Sequence, residues 1–151
     1  ALTRHFLPRM AARGHGAVIN VASTAAFEPQ PYFAVYAASK AFALRFGEAL
    51  WAEQRGSGVR VVTVCTGPVA ERGRVRHEGP VREFLKRRYL TAEEVVERAL
   101  DAVEQDRPVV VLRVPVLGWA YHVRAVVGRL LPRRARLRVA GRLNGWYFER
   151  T

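Results

Sequence analysis

Three short apolar runs, rich in β-branched residues, restrict the fold of this chain most. They are Ala17–Ala22 (AVINVA), Val59–Cys65 (VRVVTVC) and Pro108–Leu112 (PVVVL). Continuous runs of this kind suit parallel strands covered on both faces. The segment from about 35 to 55 has a helical pattern and ends at Gly56 and Gly58. Thr91-Ala-Glu-Glu94 is a capping box, which starts a second helix running to about Gln105. Residues 1–13 read as the end of another helix, stopped by Gly14 and Gly16. The order helix, strand, helix, strand, helix, strand predicts an α/β fold with a parallel sheet flanked by helices. Residues 24–34, with Pro29 and Pro31, read as a loop, and residues 66–90 as an irregular, Arg-rich stretch.

With 151 residues, half of them hydrophobic, the chain is large enough for one domain with its own core. Its one cysteine, Cys65, excludes an intramolecular disulfide and sits in an apolar run, where a buried strand residue is expected rather than a nucleophile. His5, His15, His77 and His122 form no pair at metal-ligand spacing, so no metal site is expected. The chain opens inside an amphipathic segment, without an initiator Met or a signal peptide, as a piece of a longer protein would.

The charge is uneven. Residues 107–151 hold ten Arg against Glu149 alone, a net +9 of the chain's +12. Within this region 114–131 is mostly apolar, but Arg124 and Arg129 interrupt it. Each would cost about 2.5–3.5 kcal/mol at mid-bilayer, which argues against a membrane span. An Arg-rich stretch follows from Pro132, then Gly141 and the aromatic pair Trp146-Tyr147, and two short helices are predicted within this tail.

The chemistry lies in Asn20-Val-Ala-Ser23 and Tyr36-Ala-Ala-Ser-Lys40. A phenol and an ammonium four residues apart share one helix face. Ser23, thirteen residues before the tyrosine, ends an apolar strand and can join them. A phenol ordinarily ionises near pH ~10, and a cation beside it favours phenolate. Tyr36 could then give a proton to a carbonyl oxygen or take one from an alcohol, with Ser23 holding that oxygen. Hydride at the carbon is beyond protein side chains, so the arrangement demands a cofactor. Tyr32 is a second phenol nearby but has no lysine four residues on.

These residues resemble the short-chain dehydrogenase/reductase family. Its signature is a Tyr-x-x-x-Lys helix preceded by a serine at the end of an Asn-[Ile/Val]-Ser-Ser strand. The resemblance implies that Ser23, Tyr36 and Lys40 are catalytic, that Lys40 also contacts the nicotinamide ribose, and that the cofactor is NAD or NADP. Ala22 replaces the first serine of the pair. Cys65-Thr-Gly67-Pro68-Val69 is similar to the family's Pro-Gly-x-Val-x-Thr turn, which implies that Gly67, Pro68 and Val69 meet the nicotinamide. Thr66 stands for the usual proline and Glu71 for the usual threonine, so an anion replaces a cofactor-binding hydroxyl.

The resemblance covers roughly 1–112. It implies the carboxyl-terminal part of a Rossmann-like domain: three strands of a partial parallel sheet, with the dinucleotide-binding half absent. Residues 113–151 would form a basic, amphipathic helical extension. The family's Gly-rich phosphate loop and its catalytic asparagine are expected before residue 1. The chain alone is therefore expected to be inactive, with an exposed sheet edge. The family also implies pairing through the helices at 1–13 and 35–55, hence a homo-oligomer. A cytoplasmic location, at the membrane periphery if the tail binds there, is expected separately and fits the single cysteine.

The Arg-rich loop 71–90 corresponds to the family's substrate lid. A solvated surface is its default reading, and an anionic or acyl-linked substrate is the sharper one, carried by Arg87 and Arg88. For the tail, an ordinary cap over the pocket or a subunit interface stands beside peripheral contact of 114–151 with an anionic membrane. A non-catalytic remnant or basic surface-binding module is the alternative to an enzyme. Nucleic-acid binding is not favoured, because no groove-reading motif accompanies the charge.

Overall fold

A computed structural model describes residues 2–69, 90–112 and 131–148, with the side chains of 143 and 145–148 left out. Its elements are α1 (Leu2–Ala12), β1 (Gly16–Ser23), a 3-10 turn (Thr24–Phe27), α2 (Ala34–Glu53), β2 (Val59–Thr66), α3 (Ala92–Glu104), β3 (Val109–Leu112) and α4 (Arg133–Phe148). The three strands form one parallel sheet in the order β1-β2-β3. Ser23, Thr66 and Leu112 stand in register at its carboxyl end.

The helices lie on opposite faces. On one, α2 packs Leu44 against Ala22 and Cys65, while Leu7, Met10 and Ala11 of α1 join Leu50, Val59 and Val61. On the other, Val95, Ala99 and Ala102 of α3 pack on Val62, Val64 and Leu112. The predicted capping box of α3 forms in full: Glu94 N donates to Thr91 Oγ1 (3.2 Å) and Thr91 N to Glu94 Oε2 (2.8 Å).

Two expectations are corrected. Only β2 is covered on both faces. In β1, Ile19 and Val21 remain 39% and 58% exposed, because α3 packs mainly on β2 and β3 and reaches only the margin of β1. The expected loop 24–34 also begins with a 3-10 turn, capped by Ser23.

Glycine permits two close approaches. A Cβ on Gly47 of α2 would collide with Thr63 Oγ1 and come within 2.9 Å of Asn20 Nδ2. Asn20 and Thr63 are register partners on β1 and β2, so Gly47 seats α2 directly on that rung. Gly58 has a φ of 75° and abuts the Gly14 carbonyl, which brings the turns before β1 and β2 together.

At the amino end of β2, Asp106 accepts hydrogen bonds from Trp51 Nε1 (3.1 Å) and pairs with Arg60 (3.0 Å). Arg55 lies over the Trp51 ring. Desolvation pushes the Asp106 carboxyl up, but the hydrogen bonds from Trp51 and Arg60 and the charges of Arg60 and Arg55 outweigh it. The carboxyl is held below its usual value.

Of the two helices expected in the tail, α4 is observed, and 114–130 lies outside the described residues. Asn144 on α4 donates through Nδ2 to Gln30 Oε1 (3.0 Å) and to the Pro31 carbonyl (3.1 Å). Among the described residues, no helix is long and apolar enough to cross a membrane.

Candidate active site

Ser23 is the last residue of β1, where the chain turns off the sheet. Its backbone stays extended and its Oγ accepts from Ala25 N (3.2 Å), capping the 3-10 turn. The side chain is held in place at 8% exposure. Because α2 follows β1, its first turns return to the same carboxyl end of the sheet. They carry Tyr36 and, one turn later, Lys40.

Tyr36 is 47% exposed, so its ring is open to a ligand. Phe33 meets it edge-on at 6.3 Å between centroids, and Ser39 Oγ donates to its backbone carbonyl. Lys40 Nζ stands over the Tyr36 ring, 5.8 Å from its centroid, and donates to the Val21 carbonyl (3.0 Å). The ammonium is thus held between β1 and the tyrosine by one hydrogen bond and a cation–π contact.

Ser23 and the first turns of α2, with Tyr36 and Lys40, stand at the carboxyl end of the sheet. Gly67 and Pro68 follow β2 at that same end. Gly67 N donates to the Leu112 carbonyl (2.8 Å), and Val69 bridges to Leu90 in parallel fashion. Sequence reasoning missed the Val21 carbonyl, for which a backbone acceptor leaves no sequence signal, and the ring contact of Phe33. Tyr32, four residues before Tyr36, takes a left-handed conformation (φ 69°) that a bulky side chain seldom adopts. Glu71 and the Arg-rich lid, including Arg87 and Arg88, lie outside the described residues.

Cys65 is fully buried on β2. Desolvation, then the charge of Glu48, push its thiol up to about 11, which makes it inert as a nucleophile near neutral pH. Among the described residues, no group of three His, Cys, Asp or Glu could hold a metal.

An apolar cavity of about 530 Å³ opens beside the site. The segment Ala26–Pro31, the alanines at 34, 37, 38 and 41 of α2 and Leu137 of α4 line it. Ala37 and Ala41 each follow a site residue by one position, about 100° further round the helix, so the cavity faces another side of α2.

Residues 1–78 match the family model for short chain dehydrogenase. The chain belongs to the short chain dehydrogenase family. It is 32% identical over 108 residues to the 7beta-hydroxysteroid dehydrogenase of Collinsella aerofaciens, an alignment covering 70% of this chain and 41% of that protein. To the NADP-dependent 3-hydroxy acid dehydrogenase YdfG of Escherichia coli K12 it is 40% identical over 80 residues, 52% of this chain and 32% of the other.

Two solved short chain dehydrogenase folds agree. A 7beta-hydroxysteroid dehydrogenase structure superposes with a TM-score of 0.73 at 26% identity, covering 91% of this chain and 52% of its own. A short chain dehydrogenase from Burkholderia cenocepacia in complex with NADP gives 0.64 at 30% identity, covering 87% and 53%. The sheet is thus part of a Rossmann-type fold. This chain spans about half the length of those solved chains and less than half of the two curated relatives.

Proposed function

We propose that Ser23, Tyr36 and Lys40 are the proton-handling part of an NAD(P)-dependent oxidoreductase that interconverts a carbonyl and a secondary alcohol. The observation that carries this reading is the common end of the site: β1, β2 and β3 finish level at Ser23, Thr66 and Leu112, and α2 starts there with Tyr36 and Lys40. Open α/β sheets bind ligands outside the carboxyl ends of their strands.

Tyr36 gives its phenolic proton to the substrate oxygen during reduction and recovers one from the alcohol during oxidation. Ser23 uses its oxygen to accept from Ala25 N, so its hydroxyl proton is left to donate to the same substrate oxygen. The 3-10 turn fixes where that hydroxyl points from. Lys40 has three N–H donors, and one is taken by Val21 O. The other two fit the hydroxyls of a nicotinamide ribose.

Gly67 N is already committed to Leu112, and Pro68 has no N–H, so their offer to a carboxamide is mainly carbonyl oxygen. These residues fit the nicotinamide end of a dinucleotide, which supplies or removes hydride when bound. The NADP-bound Burkholderia relative supports this class of cofactor.

In this reading the pyrophosphate and adenosine are held by chain outside residues 1–151. Two observations support that: the half-length match to solved relatives, and the bare side of β1 at Ile19 and Val21. The complete protein is a homo-oligomer, a proposal supported by the outward face of α2. There Val35 and Phe42 are strongly exposed and Phe42 stacks on Phe46 at 5.8 Å.

The test is Tyr36→Phe in a protein that joins this segment to a dinucleotide-binding half. Loss of general acid–base catalysis should lower turnover by about 10²–10⁴-fold with the circular dichroism spectrum unchanged. A variant retaining more than about a tenth of wild-type turnover would remove Tyr36 from the mechanism.

A further inference from the structure

We propose that α4 is a docking helix for an anionic lipid surface, a role independent of the chemistry at Tyr36. The helix has a fixed inner side and a charged outer one. On the inner side Ala140 is buried, Leu137 borders the cavity, and Asn144 is clasped to Gln30 and Pro31. A helix held in this way cannot roll freely, so its outer side keeps a defined direction.

That outer side carries Arg134, Arg138 and Arg142, all exposed and four residues apart. At 1.5 Å rise per residue their Cα atoms step by about 6 Å along one row. Arg133 is exposed in the first turn, whereas Arg136 is half-buried with its Nε enclosed, and Arg133–Phe148 contains no acidic residue. Among the described residues, none of these arginines forms an ion pair.

The arrangement is unfavourable for a helix alone. Like charges at i,i+4 repel, and cations at a helix amino end oppose the helix dipole. An anionic surface reverses both penalties, and the charge complementarity therefore selects an acidic partner. The neighbouring side chains select lipid over nucleic acid. Leu131, exposed just before the helix, and Val139, 47% exposed between Arg138 and Arg142, place aliphatic groups beside the row. Aliphatic side chains flanked by arginine suit the headgroup–acyl boundary, where arginine stems cover apolar surface and their heads reach phosphate.

The test is flotation of the 151-residue chain with phosphatidylcholine vesicles, with or without phosphatidylserine. Binding should require phosphatidylserine and weaken as salt rises. The triple variant R134Q/R138Q/R142Q should partition roughly a hundredfold less well, from about 1 kcal/mol per arginine near an anionic surface and 1.4 kcal/mol per tenfold. R134K/R138K/R142K keeps the charge and should restore binding. It also separates charge loss from misfolding, as does the salt series on the unmodified chain. Equal flotation with neutral vesicles, or an unchanged triple glutamine variant, would overturn the proposal. So would displacement from the vesicles by an oligonucleotide at equal phosphate, which would assign the row to nucleic acid instead.

Discussion

β1 and β2 are neighbours of nearly the same chemical character, yet they meet different surroundings. In β2 every side chain except Arg60 and Thr66 is buried, with α2 on one face and α3 on the other. In β1 the α2 face is covered while Ile19 and Val21 stand open. An apolar β-branched run therefore identifies a strand, but whether both faces are covered depends on what else packs there. The site belongs to the less enclosed strand: Ser23 ends β1 and the Val21 carbonyl holds Lys40.

The sharpest way to break this contrast is to place a carboxylate on each strand. Val64→Asp puts an unpaired charge into the α3-facing core, and urea denaturation should show a loss of about 3–5 kcal/mol or no folded state at all. Val21→Asp faces solvent in this chain and should change stability by no more than about 0.5 kcal/mol. Similar losses at both positions would mean that β1 is covered in solution, for instance by a second copy of the chain.

A smaller effect tests what the two strands share. Gly47 sits over the Asn20–Thr63 rung, so Gly47→Ala forces α2 away from both strands at once. Overpacking of this kind should cost about 1–3 kcal/mol in the same assay. Under the proposed function it should lower the complete protein's kcat as well, because Tyr36 and Lys40 ride on that helix. An unchanged midpoint would show that the helix seats elsewhere.

The smallest effect concerns the amino end of β2, tied by Asp106 to Arg60 and Trp51. The Asp106 carboxyl is depressed when folded, so its contribution is present above the unfolded carboxylate range. It is lost as pH falls through the lower folded value. Asp106→Asn should flatten the acid limb of the stability curve and leave its slope near neutral pH unchanged. An identical acid limb in both proteins would assign the acid sensitivity to other carboxylates.

The strand runs, the α3 capping box and the Tyr36–Lys40 spacing were legible because each depends on local order along the chain. The capping box needs only Thr91 and Glu94 in adjacent turns, and both of its hydrogen bonds form. The bare side of β1 was not legible, since covering helices come from distant segments. The use of Ser23 as a cap was hidden by its dual capacity, because the same hydroxyl serves a backbone amide and can serve a substrate. The tether of Lys40 to Val21 joins a side chain to a carbonyl, and carbonyls carry no residue identity. Gly47 reads as an ordinary weak point in a helix until Thr63 is seen beneath it.

The clasp between Asn144 and the Gln30–Pro31 segment has a consequence for the order of assembly. Its partners lie 114 and 113 residues apart, whereas Ser23 and Tyr36 are joined by the short segment being clasped. Closing so long a loop costs entropy before any contact repays it, on the order of 4 kcal/mol for an otherwise free chain. Nearer contacts along β1, α2 and β2 shorten that loop when they form first. A chain emerging from the ribosome thus holds its tyrosine, lysine and serine long before it holds the helix that steadies the segment between them.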